Sequence, residues 1–342
     1  MNKEIYAIKH NIAAKKEEKA MKKLLILAAI FAIVFTMPLI AGGASEGGSS
    51  TLRFGTGGDQ GTYYGFGNVL AQRISSETDT SVVAVVSAGS QDNIEMMDMG
   101  SYQLGFVQTD VMSYAYNGTN LFAQTGAITD FSTVAALYME QVQIVTLDPD
   151  IKTVADLRGK TVSIGSSGSG VYYNALDILG AYGIGEDDIN PTYQSFGDSV
   201  DALQDGKIDA AFVVAGAPTV AVSTLATTHD VRLVSIDDEH IDILLESSPY
   251  YSPYTISADV YGTDEDCQTV AVGAVVIARN DVSEDAVYDV VSTIFNDKDA
   301  IAQSHDKGNE LDLAFASSIT TVPYHPGAAK YFTEQGIEVP VN

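Results

Sequence analysis

The stretch LRFGTGGDQGTYYGFGNVLAQRI, residues 52–74, decides the fold expected of this chain. A short apolar strand, Leu52 to Phe54, runs into a glycine-rich turn at 55–61, and a helix then begins at Thr62. Glycines let backbone N–H groups come close to a ligand, and a helix N-terminus carries unpaired donors and partial positive charge. This strand–turn–helix unit therefore predicts a binding site for a small anion such as a carboxylate or a phosphate.

A second turn of the same kind lies about 100 residues further along, in VSIGSSGSGVYY at 162–173. Both turns follow an apolar strand, and ligands of open α/β sheets bind at the carboxyl ends of the strands. Two such turns so far apart in the sequence predict a ligand held between two lobes.

Strand and helix patterns alternate from Thr51 onward, and the short connections predict a mostly parallel sheet with right-handed crossovers. Two α/β units follow one another, and a polar segment at 248–266 precedes a further strand, TVAVGAVVIAR. HPGAAKYFTEQGI near the C-terminus predicts a closing helix. Because helices are left over at the end, we expect the chain to go out and return: lobe one comprises 51–140 plus 276–342, and lobe two comprises 141–275.

The N-terminal segment has the layout of a secretory signal peptide. Two lysines precede the apolar run LLILAAIFAIVFTMPLIA at 24–41, and small residues follow it. We therefore expect residues 1–44 to be a leader, with 21–44 as the signal itself, and 45–50 to be a flexible tether. The predicted location is periplasmic or extracytoplasmic. A retained membrane anchor is the alternative, because about 18 apolar residues are close to the minimum for a membrane span.

The chain is strongly acidic, with a formal net charge of −27. Residues 1–44 carry seven Lys and three Glu, so 11 basic and 42 acidic residues remain beyond them, a net charge of about −31. This charge excludes nucleic acid as a partner, because phosphate binding needs basic patches. A well-solvated surface accounts for the acidity, and adaptation to a saline or alkaline exterior is the alternative.

The motifs of common enzymes are missing or imperfect. The first turn reads G-x-G-x-x-x-G, and no acid for a ribose ends the next strand, as a dinucleotide site requires. GSSGSG lacks the G-x-S-x-G pattern of a hydrolase, and the five histidines show no metal-ligand spacing. Cys267, the single cysteine, follows three acidic residues that disfavour its thiolate. We therefore predict neither an enzyme, nor a cofactor, nor a metal.

Seven segments occur in the order found in one protein family: GTGGDQGTYY, SAGSQDN, VQTD, LYMEQVQIV, IKTVADLRGKTVSIGSSGSG, DGKIDAAFVVAGAP and HPGAAKYFTEQG. From Thr51 to Ile337 the chain resembles the TAXI proteins (TRAP-associated extracytoplasmic immunogenic proteins), the solute receptors of one branch of the tripartite ATP-independent periplasmic (TRAP) transporters. The resemblance implies an α/β, two-lobed type II periplasmic-binding-protein fold with an interlobe ligand cleft.

The same resemblance implies capture of a small carboxylate, a glutamate-like amino acid or related organic acid, and its delivery to a TRAP-type membrane permease. A monomer is expected. A solute receptor of an ATP-driven importer, or a ligand sensor with the same fold, is the alternative.

Carried over residue by residue, the resemblance implies a ligand site whose members come from both lobes: Thr56, Gly57, Gly58, Thr62, Tyr63, Ser90, Asn93, Gln108, Tyr138, Ser166, Gly168, Ser169, Gly170, Gly216 and Pro218. Simple helix capping is the alternative role for Thr62 and Ser169, and core packing is the alternative for Tyr63. No arginine lies in a glycine turn, so helix dipoles and neutral donors are expected to hold the charge of the ligand.

Overall fold

The structure, a computed structural model, describes residues 51–341, so the predicted leader and tether lie outside the described residues. Its strands are β1 (Leu52–Gly55), β2 (Val82–Val85), β3 (Leu104–Gln108), β4 (Phe131–Thr146), β5 (Thr161–Ser163), β6 (Asn190–Thr192), β7 (Ala210–Ala215), β8 (Arg232–Leu233), β9 (Ser252–Ile256) and β10 (Cys267–Arg279). Its helices are α1 (Thr62–Glu77), α2 (Ser90–Asp98), α3 (Thr109–Asn117), α4 (Val171–Ala181), α5 (Phe196–Gln204), α6 (Val220–Ala226), α7 (Asp238–Ser247), α8 (Glu284–Asn296), α9 (Lys298–Ser304), α10 (Leu313–Ala316) and α11 (Pro326–Glu334). Within this range, none of the helices has the length and apolar character that crossing a membrane requires.

Helix α1 shows how the local sequence determines an element. Phe66, Leu70 and Ile74 recur at four-residue spacing and are fully buried, which gives the helix one apolar face against the sheet. The helix begins directly after Gly61, as the glycine-rich turn predicts. The predicted closing helix is also confirmed, as α11, and it packs on α8.

One mixed sheet organises the described chain. Its strand order is β2-β1-β3-β10-β4-β7-β5-β6, with β8 added to β4 and β9 added to β10. The strands on each side of the centre pair in parallel: β1 with β2 and β3, and β5 with β6 and β7. The prediction of a mostly parallel sheet therefore holds for these two groups of strands.

The centre of the sheet corrects that prediction, because β10 pairs antiparallel with both β3 and β4, and β4 pairs antiparallel with β7. Strand β4 carries the chain from the first group of strands into the second, and β10 carries it back. Two strands that make opposite crossings must run in opposite directions. Both strands are almost wholly buried along their length.

Two groups of buried side chains form the lobes. The first core draws on 52–138 and 274–332, together with Tyr173, and the second consists of two neighbouring clusters drawn from 142–272. The predicted α/β, two-lobed fold is confirmed by this architecture. The precise lobe boundaries given above stay a prediction.

Some elements between 238 and 316 were not predicted from the sequence. Helix α7 is capped by the preceding Asp237, whose side chain accepts a hydrogen bond from the His240 N–H, but it buries only Ile241 and Leu244. Strand β9 is exposed at four of its five residues and contains Pro253, so it lacks the apolar alternation of an inner strand. The sequences of α7 and β9 have so few buried apolar residues that they look like polar loops, which is why the sequence did not predict these elements.

Candidate functional site

A cavity of about 80 Å³ lies between the two cores. One buried water needs roughly 10–15 Å³ by the same measure, so the cavity has room for a small organic molecule. Its walls consist of Gly57, Gly58, Gly61, Thr62, Tyr63, Ser87, Ala88, Gly89, Ser90, Gln108, Glu140, Ser166, Ser169, Gly170, Val171, Ser195, Phe196, Val214 and Ala215.

Helix N-termini dominate these walls. The first residues of α1, α2, α4 and α5 line the cavity, and so does Gln108, the residue that precedes α3. Each of these five helices directs its N-terminal end, with its partial positive charge, toward the same space. The site is therefore suited to an anionic group, which the sequence predicted from two glycine turns alone.

Four of these five helices, α1 to α4, have no side-chain cap. Glycine occupies the N-cap positions of α1, α2 and α4, and in the described chain no side chain accepts a capping hydrogen bond from their first turns. Helix α5 differs, because Ser195 Oγ accepts from the Asp198 N–H at 3.2 Å. Uncapped N–H groups are the donors that a bound carboxylate or phosphate satisfies.

Close packing requires a glycine at position 170, the end of the second turn. A Cβ placed on Gly170 would lie 1.6 Å from Gln108 Oε1, so any side chain there would displace Gln108 from the wall. Gly165 adopts φ +89°, a left-handed conformation that favours glycine. The turn thus brings backbone from the second lobe directly against a side chain of the first.

The structure brings nine of the fifteen predicted site residues together around the cavity: Gly57, Gly58, Thr62, Tyr63, Ser90, Gln108, Ser166, Ser169 and Gly170. Six predicted residues are not among the residues that line it: Thr56, Asn93, Tyr138, Gly168, Gly216 and Pro218. The ligand-binding role of the nine stays a prediction, and the six have other contacts.

Thr56 and Asn93 tie the wall together from behind. Thr56 Oγ1 donates to the Val85 carbonyl at 2.7 Å, and Asn93 Nδ2 donates to the carbonyls of Thr56 and Phe106, each at 2.7 Å. Both side chains are fully buried. They join β1, β2 and β3, so their polar atoms serve the framework of the cavity.

Of the other four residues, Gly216 and Gly168 contact the opposite lobe. Gly216 offers its carbonyl oxygen to Thr62 Oγ1 at 2.7 Å, and Gly168 offers its own to the Asp92 N–H at 3.0 Å. Tyr138 is buried with Lys307 Nζ 5.4 Å from its ring centroid, and Pro218 is exposed. The contacts of Gly216 and Gly168 join the two lobes beside the cavity.

Helix capping is not the role of Thr62 or Ser169. Thr62 donates across to Gly216, and Ser169 Oγ donates to the Ser166 carbonyl at 2.8 Å within its own turn. Tyr63 combines two roles: its ring stacks on Phe106 in the first core with centroids 4.7 Å apart, and it also lines the cavity.

Glu140 is the main functional candidate that sequence reasoning missed. It lines the cavity although only 2% of it is exposed, and its Oε2 accepts a hydrogen bond from the Tyr63 hydroxyl at 2.6 Å. It lies in the middle of β4, where no turn or glycine marks it. The sequence did contain one indication of Glu140. It is a lone acid within a long apolar strand, and because such a strand buries both faces, an acid there needs a specific partner.

A buried polar network crosses between the lobes next to the cavity. Gln108 Nε2 donates to Asn174 Oδ1 at 3.1 Å, while Asn174 Nδ2 donates to Asp110 Oδ2 and to the Tyr251 hydroxyl, both at 2.9 Å. These partners determine how the Asn174 amide is oriented, and this in turn orients Gln108. Gln108 Oε1 is therefore left without a donor.

Burial controls the protonation of both acids near the cavity. The pKa of Glu140 is raised to about 8, chiefly by loss of hydration and also by nearby Asp110, whereas the hydrogen bond from Tyr63 and the charge of Lys307 oppose the shift. Loss of hydration likewise raises the pKa of Asp110 to about 6. Neutral Glu140 is thus the favoured form near neutral pH.

Cations are not part of the wall, since neither Arg nor Lys is among the residues that line the cavity. That dipoles and neutral donors hold the charge of the ligand stays a prediction. Over residues 51–341, no three His, Cys, Asp or Glu side chains are grouped as a metal ion would require.

Comparison with known proteins places the chain in a family. A family model described as the NMT1-like family matches residues 54–336. The chain belongs to the NMT1-like family. The match spans both lobes, including the two glycine turns.

Solved structures share the fold of this NMT1-like chain at low sequence identity. A structure described as a periplasmic transporter is 15% identical, with a TM-score of 0.53, covering 85% of this chain and 99% of that one. A protein from Bordetella bronchiseptica RB50 is 15% identical, with a TM-score of 0.52 and coverages of 83% and 88%. The zinc-bound ligand-binding component of an ABC-type import system from Staphylococcus aureus is 11% identical, with a TM-score of 0.50 and coverages of 85% and 94%.

Replacing Asn93 with alanine tests its framework role. The change leaves the Thr56 and Phe106 carbonyls unpaired in a buried site, and we expect a loss of about 2–4 kcal/mol in the free energy of unfolding, measured by urea denaturation. Asn117→Ala is the matched control, because that exposed amide caps only its own helix, and it should change stability by less than about 0.5 kcal/mol. Unchanged stability of Asn93→Ala would contradict the framework role.

The Glu140 carboxyl should make the stability of the protein depend on pH. Its pKa is higher in the folded chain, about 8, than the ordinary value of 4.5, so the folded state holds a proton that the unfolded state releases. Stability should therefore fall as pH rises from about 4.5 to about 8, by up to roughly 1.4 kcal/mol per pH unit from this group.

Glu140→Gln should remove that part of the pH dependence, as urea denaturation from pH 5 to pH 9 would show. Glu334→Gln is the matched control. Glu334 also accepts a hydrogen bond from a tyrosine hydroxyl, that of Tyr288, but it is exposed. Parallel stability curves for the wild type and Glu140→Gln across this range would disprove the assignment.

Proposed function

We propose that the chain is an extracytoplasmic solute receptor of the TAXI type, which captures a small carboxylate between its lobes and delivers it to a TRAP-type membrane permease. The glutamate-like amino acids and related organic acids are the proposed ligand class. The ordered motifs from Thr51 to Ile337 and the secretory leader support the assignment to this branch.

The convergence of five helix N-termini on one interlobe cavity carries the proposal. Each N-terminus is equivalent to roughly half a positive charge, and uncapped N–H groups bind oxyanions without any cationic side chain. Capture of an anion is the chemistry that this wall supports.

Hydrogen bonds between the lobes support closure around the ligand. Thr62 Oγ1 meets the Gly216 carbonyl, the Ala221 N–H donates to the Gln60 carbonyl at 3.2 Å, and Lys307 Nζ donates to the Ala217 carbonyl at 2.9 Å. Each such bond contributes only about 0.5–1.5 kcal/mol, so a ligand that contacts both lobes can shift the open–closed equilibrium.

A receptor of an ATP-driven importer is the second candidate, favoured by the shared fold of the Staphylococcus aureus component. The two candidates predict different neighbouring genes: a multi-span permease without an ATPase for the TRAP assignment, and an ATPase for the importer. Uptake by the reconstituted system should follow a sodium or proton gradient in the first case and ATP hydrolysis in the second.

Thermal unfolding in the presence of candidate solutes tests the ligand class. A bound carboxylate should stabilise the protein by about 2.7 kcal/mol when its concentration is a hundredfold above Kd. The panel should contain amino acids, dicarboxylates, sugars and inorganic phosphate, each at the same ionic strength. Stabilisation by a sugar, with none by any carboxylate, would refute the proposed ligand class.

Gly170→Ala is the matched variant for this panel. Its Cβ would displace Gln108, so we expect it to reduce or abolish the ligand-dependent shift. Gly180→Ala is the control, because a Cβ there meets nothing within 4 Å and the residue lies in α4 away from the cavity wall. An unchanged shift in Gly170→Ala would place the ligand elsewhere.

A further inference from the structure

The cavity contains one acidic side chain that an anion-binding site does not require. Resting on the solute-receptor function proposed above, we propose that Glu140 is a specificity-determining residue that accepts a hydrogen bond from a cationic amino group of the ligand. The site then selects solutes that carry a carboxylate and an ammonium together over plain organic acids of the same skeleton.

The hydrogen bonds of Glu140 leave one oxygen available. Oε2 is occupied by the Tyr63 hydroxyl, whereas Oε1 accepts no hydrogen bond from any residue between 51 and 341. The nearest candidate cation is otherwise engaged, because Lys307 Nζ donates to the Ala217 carbonyl and to Glu310. In the ionised form, Oε1 is therefore free to accept a hydrogen bond from a group in the cavity.

A second acceptor at the wall has the same deficit. Gln108 Oε1 has no donor, and its orientation follows from the bond between its own Nε2 and Asn174. It lies beside Gly170, another wall residue. Buried acceptors without donors cost free energy, so a ligand with N–H groups relieves a penalty that a plain dicarboxylate leaves in place.

The charged and titratable groups around Glu140 make its ionisation depend on the ligand. Tyr63 from α1, Asp110 from α3, Tyr138 from β4 and Lys307 from the turn at 306–310 interact with it electrostatically. Without a ligand, burial and Asp110 favour the neutral acid. An ammonium beside Oε1 favours the carboxylate, so binding transfers the Glu140 proton to the solvent.

Whether binding releases a proton distinguishes this proposal from the opposite one, in which neutral Glu140 donates a hydrogen bond to the ligand. A neutral Glu140 that donated to a ligand carboxylate would keep its proton, and binding would weaken as pH rises. An ionised Glu140 that accepts from an ammonium releases up to one proton per ligand at pH 6 and fewer as pH approaches 9.

Calorimetric titration with matched pairs of solutes tests the proposal. Each pair joins an amino acid to the acid that lacks only its amino group: glutamate with glutarate, aspartate with succinate, and alanine with propionate. Titration in two buffers of different ionisation enthalpy gives the number of protons released. We expect the amino acid of the best pair to bind at least tenfold more tightly and to release protons at pH 6.

Glu140→Gln keeps the shape of the side chain but removes its charge. In this variant the preference within the best pair should fall to less than about threefold and proton release should disappear, while Glu334→Gln retains both. The measurement on the wild-type protein still decides the question if Glu140→Gln does not fold.

The possible outcomes distinguish this inference from the function on which it rests. Equal affinity within every pair that binds, or proton uptake on binding, overturns the role of Glu140 and leaves the carboxylate receptor intact. No binding by any member of any pair, with binding of a sugar or phosphate, overturns the carboxylate receptor itself.

Discussion

The antiparallel pairing of β4 with β10 is the constraint on which the rest of the molecule depends. Both strands contribute buried residues to both cores, and their backbone groups must pair with each other because no water reaches them. In this pairing Ala274 lies opposite both Gln108 on β3 and Tyr138 on β4, two residues before Glu140. The register thus sets where the polar side chains of the centre meet the cavity.

An irregularity in that pairing lies next to the site. The register of β10 against β4 shifts between Ala274 and Val275, and again between Val276 and Ile277. Such bulges bend a strand and redirect its side chains, and they are frequent beside functional sites. Here the bend accompanies the change from one lobe to the other, where the chain must leave the first core and enter the second.

The cavity combines two electrostatic features of opposite sign. Helix N-termini supply partial positive charge through neutral backbone groups, while Glu140 supplies a carboxyl whose ionisation is held back by burial. Neither feature needs a fixed ion pair, and Lys307 is engaged with Glu310. Under the proposal for Glu140, the site changes its charge when it is filled, which links occupancy to protonation.

Local chemistry explains how much could be predicted from the sequence. Glycine turns, apolar spacing and helix starts are local patterns, so α1, the two turns and nine of the wall residues were identified without a structure. The role of Asn93 as a framework residue, the bond from Thr62 to Gly216 and the position of Glu140 depend on partners 13 to 154 residues away. Contacts at such separation follow from strand order and register, which the composition of a strand does not specify.

A crystal structure of the protein with a bound carboxylate, chosen as the most stabilising member of the solute panel, tests the central claim most directly. The account predicts carboxylate oxygens within about 3 Å of backbone N–H groups at the starts of α1, α2 and α4, with residues of both lobes in contact with the ligand. A ligand bound outside this cavity, or one whose carboxylate is held by an arginine or lysine side chain, would contradict it.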